Sequence, residues 1–242
     1  MKLSKQNILG IGVTTNSKNE ILEYIEKYLG KSAKKPLVIV TPNPEQIVLA
    51  QRDSHFREIL NGADVAIPDG IGLALIAGCK KIAGVDLMED LVGLAARRSL
   101  PVALIGGRGG VALKALECLQ ARFPGLSGWA QLPEEKTIEE IGKKIADSRT
   151  QLVFVGLGAP KQEYFIEKLK VESLRLKVAA PLALMSVGGS FDELSGRISR
   201  PPAIIDKLGL KWFWRLILEP WRWKRQLSLV KFVYLICKSH LK

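Results

Sequence analysis

Ala63-Asp64-Val65-Ala66-Ile67-Pro68-Asp69-Gly70 reads as a short buried strand that ends in a turn. Val65, Ala66 and Ile67 are apolar without alternation, the pattern of a strand covered on both faces of a parallel sheet. Pro68 cannot donate to a ladder, so the strand stops there. Gly70 lets the chain turn sharply before a helix over 71–77. Asp69 thus stands at the carboxyl end of a strand, outside which open α/β sheets bind their ligands. It is a candidate general base, although capping the helix that follows is the plainer role for an Asp in that place.

The same rhythm runs outward in both directions. Upstream, a strand over 8–13 precedes a helix over 17–29 with Ser17 as its N-cap. A buried strand over 37–40 then closes at Thr41-Pro42-Asn43-Pro44, followed by helical pieces over 45–52 and 55–60. Downstream come a helix over 86–97, a strand over 101–105 and the run Gly106-Gly107-Arg108-Gly109-Gly110, which leads into a helix reaching Arg122. A weak strand over 127–131, a helix over 134–147 and a strand over 152–155 follow. Pro160 opens a helix to about Leu174, and a last strand over 182–187 ends at Gly188-Gly189. Strands separated by helices of this length predict an α/β fold, with a doubly wound, largely parallel, Rossmann-like sheet. All the polar or glycine-bearing strand ends then converge on one edge of the sheet.

The composition fits that class. The 242 residues are 47% hydrophobic and 25% charged, as in globular chains. Cys79, Cys118 and Cys237 are widely spaced and odd in number, so neither a disulfide framework nor a metal spacing emerges. A reducing, cytoplasmic setting is expected. The first residues lack the apolar core of a signal peptide, and no run approaches the ~20 apolar residues of a membrane-spanning helix. The net charge of +12 is unevenly placed. Residues 1–196 hold 25 Lys and Arg against 22 Asp and Glu, whereas residues 197–242 hold 11 against two, together with four of the five tryptophans. This predicts a boundary near Gly196 between an α/β body (1–196) and a basic, Trp-rich helical appendage (197–242). Trp212, Trp214, Trp221 and Trp223 interleaved with Arg215, Arg222 and Arg225 suit an anionic membrane surface. Nucleic acid is the rival partner for such a segment, and the heavy share of Trp and aliphatics ranks the membrane first, so no nucleic-acid partner is expected.

Near the predicted crevice stand Thr41, Asn43, Asp69, Lys81 and Gln162: one base, one cation and several hydrogen-bonding groups. They suit a displacement in which a hydroxyl is deprotonated and a diphosphate leaving group is stabilised. Gly106 and Gly107, between strand and helix, can offer backbone N–H groups to a pyrophosphate; a tight turn packing helix on strand explains them equally. The run matches no nucleotide-binding fingerprint cleanly, so a nucleotide-dependent oxidoreductase is only a third reading, and no cofactor is expected. His55 and His240 build neither a triad nor a metal site, and no Asp-x-Asp sits at a strand end. Asp86 and Asp90 read as a solvated helix face, and Asp192 as a turn or cap residue.

Thr41-Pro42-Asn43-Pro44-Glu45, Pro68-Asp69-Gly70-Ile71-Gly72, Ala83-Gly84-Val85-Asp86-Leu87, Val155-Gly156-Leu157-Gly158-Ala159-Pro160-Lys161-Gln162-Glu163 and Val187-Gly188-Gly189-Ser190-Phe191-Asp192 together resemble the WecG/TagA/CpsF glycosyltransferases. The segment from Leu208 through Arg222 is similar to that family's C-terminal appendage. The resemblance implies inverting, metal-independent transfer of a sugar from a UDP-sugar to a polyprenyl-diphosphate-linked sugar, at the cytoplasmic face of the membrane. In the best-studied branch N-acetylmannosamine is transferred, early in teichoic acid assembly; other hexose or uronic acid donors are the alternative within the family. By motif, Asp69 is implied as the base, with Thr41, Asn43 and Gln162 in the sugar and nucleotide pocket. Arg215, Arg222 and Arg225 are implied to meet the lipid diphosphate. Where the family commonly has an arginine before its Ala-Gly-Val-Asp-like segment, this sequence has Lys81, which keeps the charge but loses the bidentate fork. From another class, a non-catalytic membrane-binding module is the competing reading. Off the membrane, the exposed apolar face of the appendage is a candidate surface for homo-oligomer formation.

Overall fold

The computed structural model describes residues 2–31, 35–178, 181–202, 204–205, 210–220 and 223–240, without the side chains of residues 134, 224–226 and 240. Eight strands are present among them: β1 Lys5–Ile8, β2 Ile11–Thr14, β3 Leu37–Val40, β4 Val65–Ala66, β5 Val102–Gly106, β6 Gly128–Gln131, β7 Leu152–Gly156 and β8 Ala183–Ser186. The helices are α1 Lys18–Leu29, α2 Pro44–Ala50, α3 Ser54–Asn61, α4 Ile71–Ile76, α5 Gly84–Arg98, α6 Val111–Arg122, α7 Ile138–Asp147, α8 Lys161–Arg175, α9 Ser190–Leu194, α10 Lys211–Leu218 and α11 Trp223–His240. Six strands form one sheet in the order β4-β3-β8-β7-β5-β6, with every pair parallel. The α/β reading of the sequence holds.

Successive strand residues point to opposite faces, and each face has its own apolar layer. Leu37, Ile39, Leu104, Phe154 and Met185 pack with residues of α1, α5 and α6. Val38, Val40, Ala103, Val155 and Leu184 pack with residues of α2, α3, α7 and α8. Burial on both sides is why these strands read as unbroken apolar runs. Ser17 caps α1 as expected, in a reciprocal capping box with Glu20.

One element departs from the sequence reading. The stretch expected as a single first strand is a hairpin, β1 and β2, paired antiparallel and separate from the main sheet. Leu9 and Gly10 both take positive φ (50° and 83°), the turn geometry whose twist suits a two-residue hairpin, and Asn7 Oδ1 accepts the Gly10 N–H at 2.8 Å. The hairpin lies beside the edge strand β4. Thr14 Oγ1 accepts the Ala66 N–H at 3.0 Å and Lys5 Nζ donates to the Ala63 carbonyl at 2.7 Å, so an exposed sheet edge is covered.

The C-terminal helices lie against this core. Phe232 of α11 is 1% exposed and belongs to the same apolar layer as α2 and α8. The outer surfaces of α10 and α11 present Phe213, Ile217, Leu218, Leu227, Val230 and Tyr234 to solvent. Among the described residues no helix is long and apolar enough to cross a membrane.

Candidate active site

The carboxyl ends of β3, β4, β7 and β8 are tied together by the loops that leave them. Asp69 N–H donates to the Pro42 carbonyl at 2.9 Å, joining the β4 loop to the β3 loop. Thr41 Oγ1 lies 3.5 Å from the Ser186 carbonyl that it faces on β8. Gln162, in the first turn of α8, accepts the Gly188 N–H at 3.0 Å through Oε1. These loops and the N-terminal part of α5 enclose a cleft of about 390 Å³. Thr41, Asn43, Asp69, Lys81 and Gln162, expected near one crevice, all line it.

Asp69 does not cap α4: the N-cap position is Gly70 and no side chain bonds the first turn. By exposed area the residue is half-buried, because one edge opens into the cleft; the protein nevertheless surrounds the carboxyl closely, and that enclosure governs its titration. Desolvation holds the Asp69 carboxyl above its ordinary value of 3.8. Lys211 and then Lys81 oppose this, while Glu193 and Asp86 add to it. The result is a carboxyl more basic than that of a surface aspartate, with two lysines favouring its charged form.

The neighbouring polar groups are held by their own folds. Asn43 Oδ1 caps α2 by accepting the Gln46 N–H at 3.0 Å, which leaves its amide NH₂ for the cleft. Thr41 is 6% exposed and lies against Gly84 at the start of α5, where a Cβ would stand 3.3 Å from Thr41 Cγ2. Gln46 is 4% exposed, contributes to the cleft wall and has a buried Oε1 without a hydrogen-bond partner.

The C-terminal helices complete the cleft. Lys211, Trp212 and Arg215 of α10 and Leu229 of α11 are part of its lining. Lys211 Nζ lies 2.8 Å from Glu193 Oε2, and Arg215 reaches Glu193 at 3.5 Å and Glu219 at 2.8 Å. Gly189 makes this possible, since a Cβ there would stand 2.8 Å from Arg215 Nη1. Arg222 and the side chain of Arg225 lie outside the described residues.

Gly106 and Gly107 are not among the residues that line the cleft. Gly106 has φ +113° and a Cβ there would stand 2.6 Å from the Gly156 carbonyl oxygen, so the run forms a tight turn against β7. His55 is on the outer face of α3, paired with Glu167, and Asp90 pairs with Lys18 at 2.7 Å. The sequence reading missed Gln46, Ser190, Glu193, Lys211 and Trp212 as cleft residues. Their signal was position alone: Gln46 one turn after the Asn43 cap, and Glu193 just past the Gly188-Gly189 strand end. One basic carboxylate, two lysines, an arginine and several amide and hydroxyl groups can together deprotonate a hydroxyl and receive a multiply charged anion.

Comparison with known sequences places the chain among similar proteins. The model of the family described as "Glycosyl transferase WecG/TagA/CpsF family" matches residues 6–242. An N-acetylglucosaminyldiphosphoundecaprenol N-acetyl-beta-D-mannosaminyltransferase of Bacillus subtilis is 30% identical, over 98% of this chain and 93% of its own length. A protein of the same description from Bacillus spizizenii is 33% identical, over 84% of this chain and 80% of its own length.

Proposed function

This chain belongs to the WecG/TagA/CpsF glycosyltransferase family, and from that premise we propose that it transfers a sugar, N-acetylmannosamine first among candidates, from a UDP-sugar to a polyprenyl-diphosphate-linked sugar. The observation that carries this reading is Asp69, at the end of β4, in one cleft with Thr41, Asn43, Lys81 and Gln162. Asp69 takes the proton from the acceptor hydroxyl, whose oxygen attacks the donor's anomeric carbon from the side opposite the departing UDP; the anomeric configuration inverts. Lys81 and Lys211 receive the charge that grows on the leaving diphosphate, so side-chain cations, rather than a metal ion, fill that role. Arg215 meets the diphosphate of the lipid acceptor, exchanging Glu193 and Glu219 for phosphate oxygens. The names of the two Bacillus relatives support both the acceptor and the N-acetylmannosaminyl group, and a role in cell-surface polymer assembly of the teichoic acid type follows from that acceptor.

The exposed apolar side chains of α10 and α11, on a segment of net charge +9, support peripheral attachment at the inner face of the cell membrane. The functional division we adopt is an α/β body over 1–196 and a membrane-facing appendage over 197–242. The test incubates the protein with a panel of UDP-sugars and a short-chain lipid-diphosphate-linked N-acetylglucosamine, with and without a chelator, and reads UDP release. UDP-N-acetylmannosamine should give turnover that the chelator leaves unchanged. Asp69→Asn should fold normally and lose roughly 10²–10⁴-fold in kcat, the scale of a positioned proton acceptor; near-wild-type turnover would remove Asp69 from the base role.

A further inference from the structure

Behind the cleft wall lies a carboxyl group with no part in the chemistry above. Glu163, in the first turn of α8, is 0% exposed, and no ion pair reaches it among the described residues. Its Oε1 accepts from Gln162 Nε2 at 2.8 Å. The Gln162 amide is fixed in orientation, because its Oε1 takes the backbone N–H of Gly188 at 3.0 Å, and only an oxygen can do so. The other oxygen of Glu163, Oε2, is buried without a hydrogen-bond partner, and so is the hydroxyl of Ser186 on β8, which is close enough to act on the Glu163 carboxyl. Either group can supply the proton shared between them, and because an ionised carboxylate without a cation is the costliest group to bury, burial favours the protonated acid.

We propose that Glu163 is a positioning residue: as an uncharged acid it accepts from Gln162 through Oε1, turns its Oε2–H to Ser186 Oγ, and so holds the Gln162 amide against the Gly188 N–H. What it fixes is the loop after β8. Gly188, with φ +54°, is followed by Gly189 against the Arg215 guanidinium and by α9, whose Glu193 engages both Lys211 and Arg215. A slack Gly188 therefore misplaces the cations of the cleft. Burial keeps the Glu163 carboxyl above its ordinary value, and Gln162, its own backbone N–H and Ser186, all uncharged, only partly oppose this. On its own helix the nearest titratable group is Tyr164, pushed up to about 12 by its hydrogen bond to Asp53, so it stays neutral below that range.

The inference rests on the transferase reading for its effect on rate, but not for its effect on the loop. The experiment therefore measures two things on the full-length wild type, Glu163→Gln and Glu163→Ala between pH 6 and 9.5. One is hydrogen exchange of the peptide carrying Gly188, corrected for the intrinsic chemical rate; the other is UDP release. Glu163→Ala should exchange at Gly188 at least tenfold faster and lose at least tenfold in kcat. Glu163→Gln, which keeps one acceptor and one donor, should stay within twofold of wild type at pH 6. Wild-type protection should weaken with rising pH as Glu163 ionises, and that of Glu163→Gln should not. Wild-type protection in Glu163→Ala, or a Glu163→Gln as loose as Glu163→Ala, would overturn the proposal. Should Glu163→Ala fail to fold, the pH response of wild type against Glu163→Gln decides alone. Should no UDP-sugar turn over, the transferase reading fails while the exchange data still judge the role of Glu163.

Discussion

Asp69 is subject to two opposing influences, burial that favours its protonated form and lysines that favour its charge. Burial prevails, so its carboxyl titrates above the ordinary 3.8. In the base role proposed for it Asp69 must be ionised, so turnover should rise with pH through a midpoint above that value. Lys211, the larger of the two opposing charges, should shift that midpoint upward when replaced: a pH–rate profile of Lys211→Met that moved down instead would contradict this balance of charges. The stability consequence has its own sign. A carboxyl raised on folding contributes most below its unfolded value, and the contribution is lost as pH climbs through the folded value. The melting temperature of Asp69→Asn should therefore gain on wild type as pH rises from about 4. Gly106 gives a contrasting case, structural rather than chemical. Its φ is positive, and any Cβ would stand 2.6 Å from the Gly156 carbonyl oxygen, which leaves no room for a side chain. Gly106→Ala should cost roughly 3 kcal/mol or more by denaturant unfolding.

Helix α10 is where the C-terminal helices reach the cleft. Among the described residues two ion pairs join it to α9, from Lys211 and Arg215 to Glu193. Arg215 also pairs with Glu219 at the helix's own C-terminus, and Trp214 Nε1 donates to the Ser199 carbonyl. Gly189 has an ordinary backbone (φ −87°), so Gly189→Ala carries no conformational strain. Its Cβ displaces only the flexible end of Arg215. We expect Tm within a few degrees of wild type together with a severalfold rise in KM for the lipid acceptor; an unchanged KM would separate Arg215 from acceptor binding. Helix α11 is anchored differently, through Phe232 in the core layer, and Phe232→Ala should cost about 3–5 kcal/mol, the usual range for a buried phenylalanine. The outer faces should act without touching stability. Phe213→Ser combined with Ile217→Ser should weaken sedimentation with anionic vesicles at least fivefold at unchanged Tm.

At the scale of the molecule, the parallel sheet was legible because burial on both faces leaves apolar runs without alternation, as at Leu37-Val38-Ile39-Val40 and Leu152-Val153-Phe154-Val155. The common location of Thr41, Asn43, Asp69 and Gln162 followed from the same logic, since parallel strands put their carboxyl ends together, whereas Lys81 arrives from the connection between α4 and α5. The hairpin at Leu9-Gly10 was not legible: one non-glycine residue at positive φ turns what looks like a continuous strand, and propensity does not announce it. Nor was the pairing of Glu193 with Lys211 and Arg215, because contacts between separate helices leave no local spacing in the sequence.

Strand β8 stands between β3 and β7. On one side lies the block β3–β4, on the other β5–β6–β7, and among the described strands β8 is the sole hydrogen-bonded bridge between them. Neither block alone owns a complete crevice, since Thr41 and Asp69 belong to the first and Gln162 follows the second. Insertion of a single central ribbon thus both knits the scaffold and creates the enclosure around the cleft. On refolding from denaturant, resistance to proteolysis and regained turnover should accordingly appear with one shared time constant.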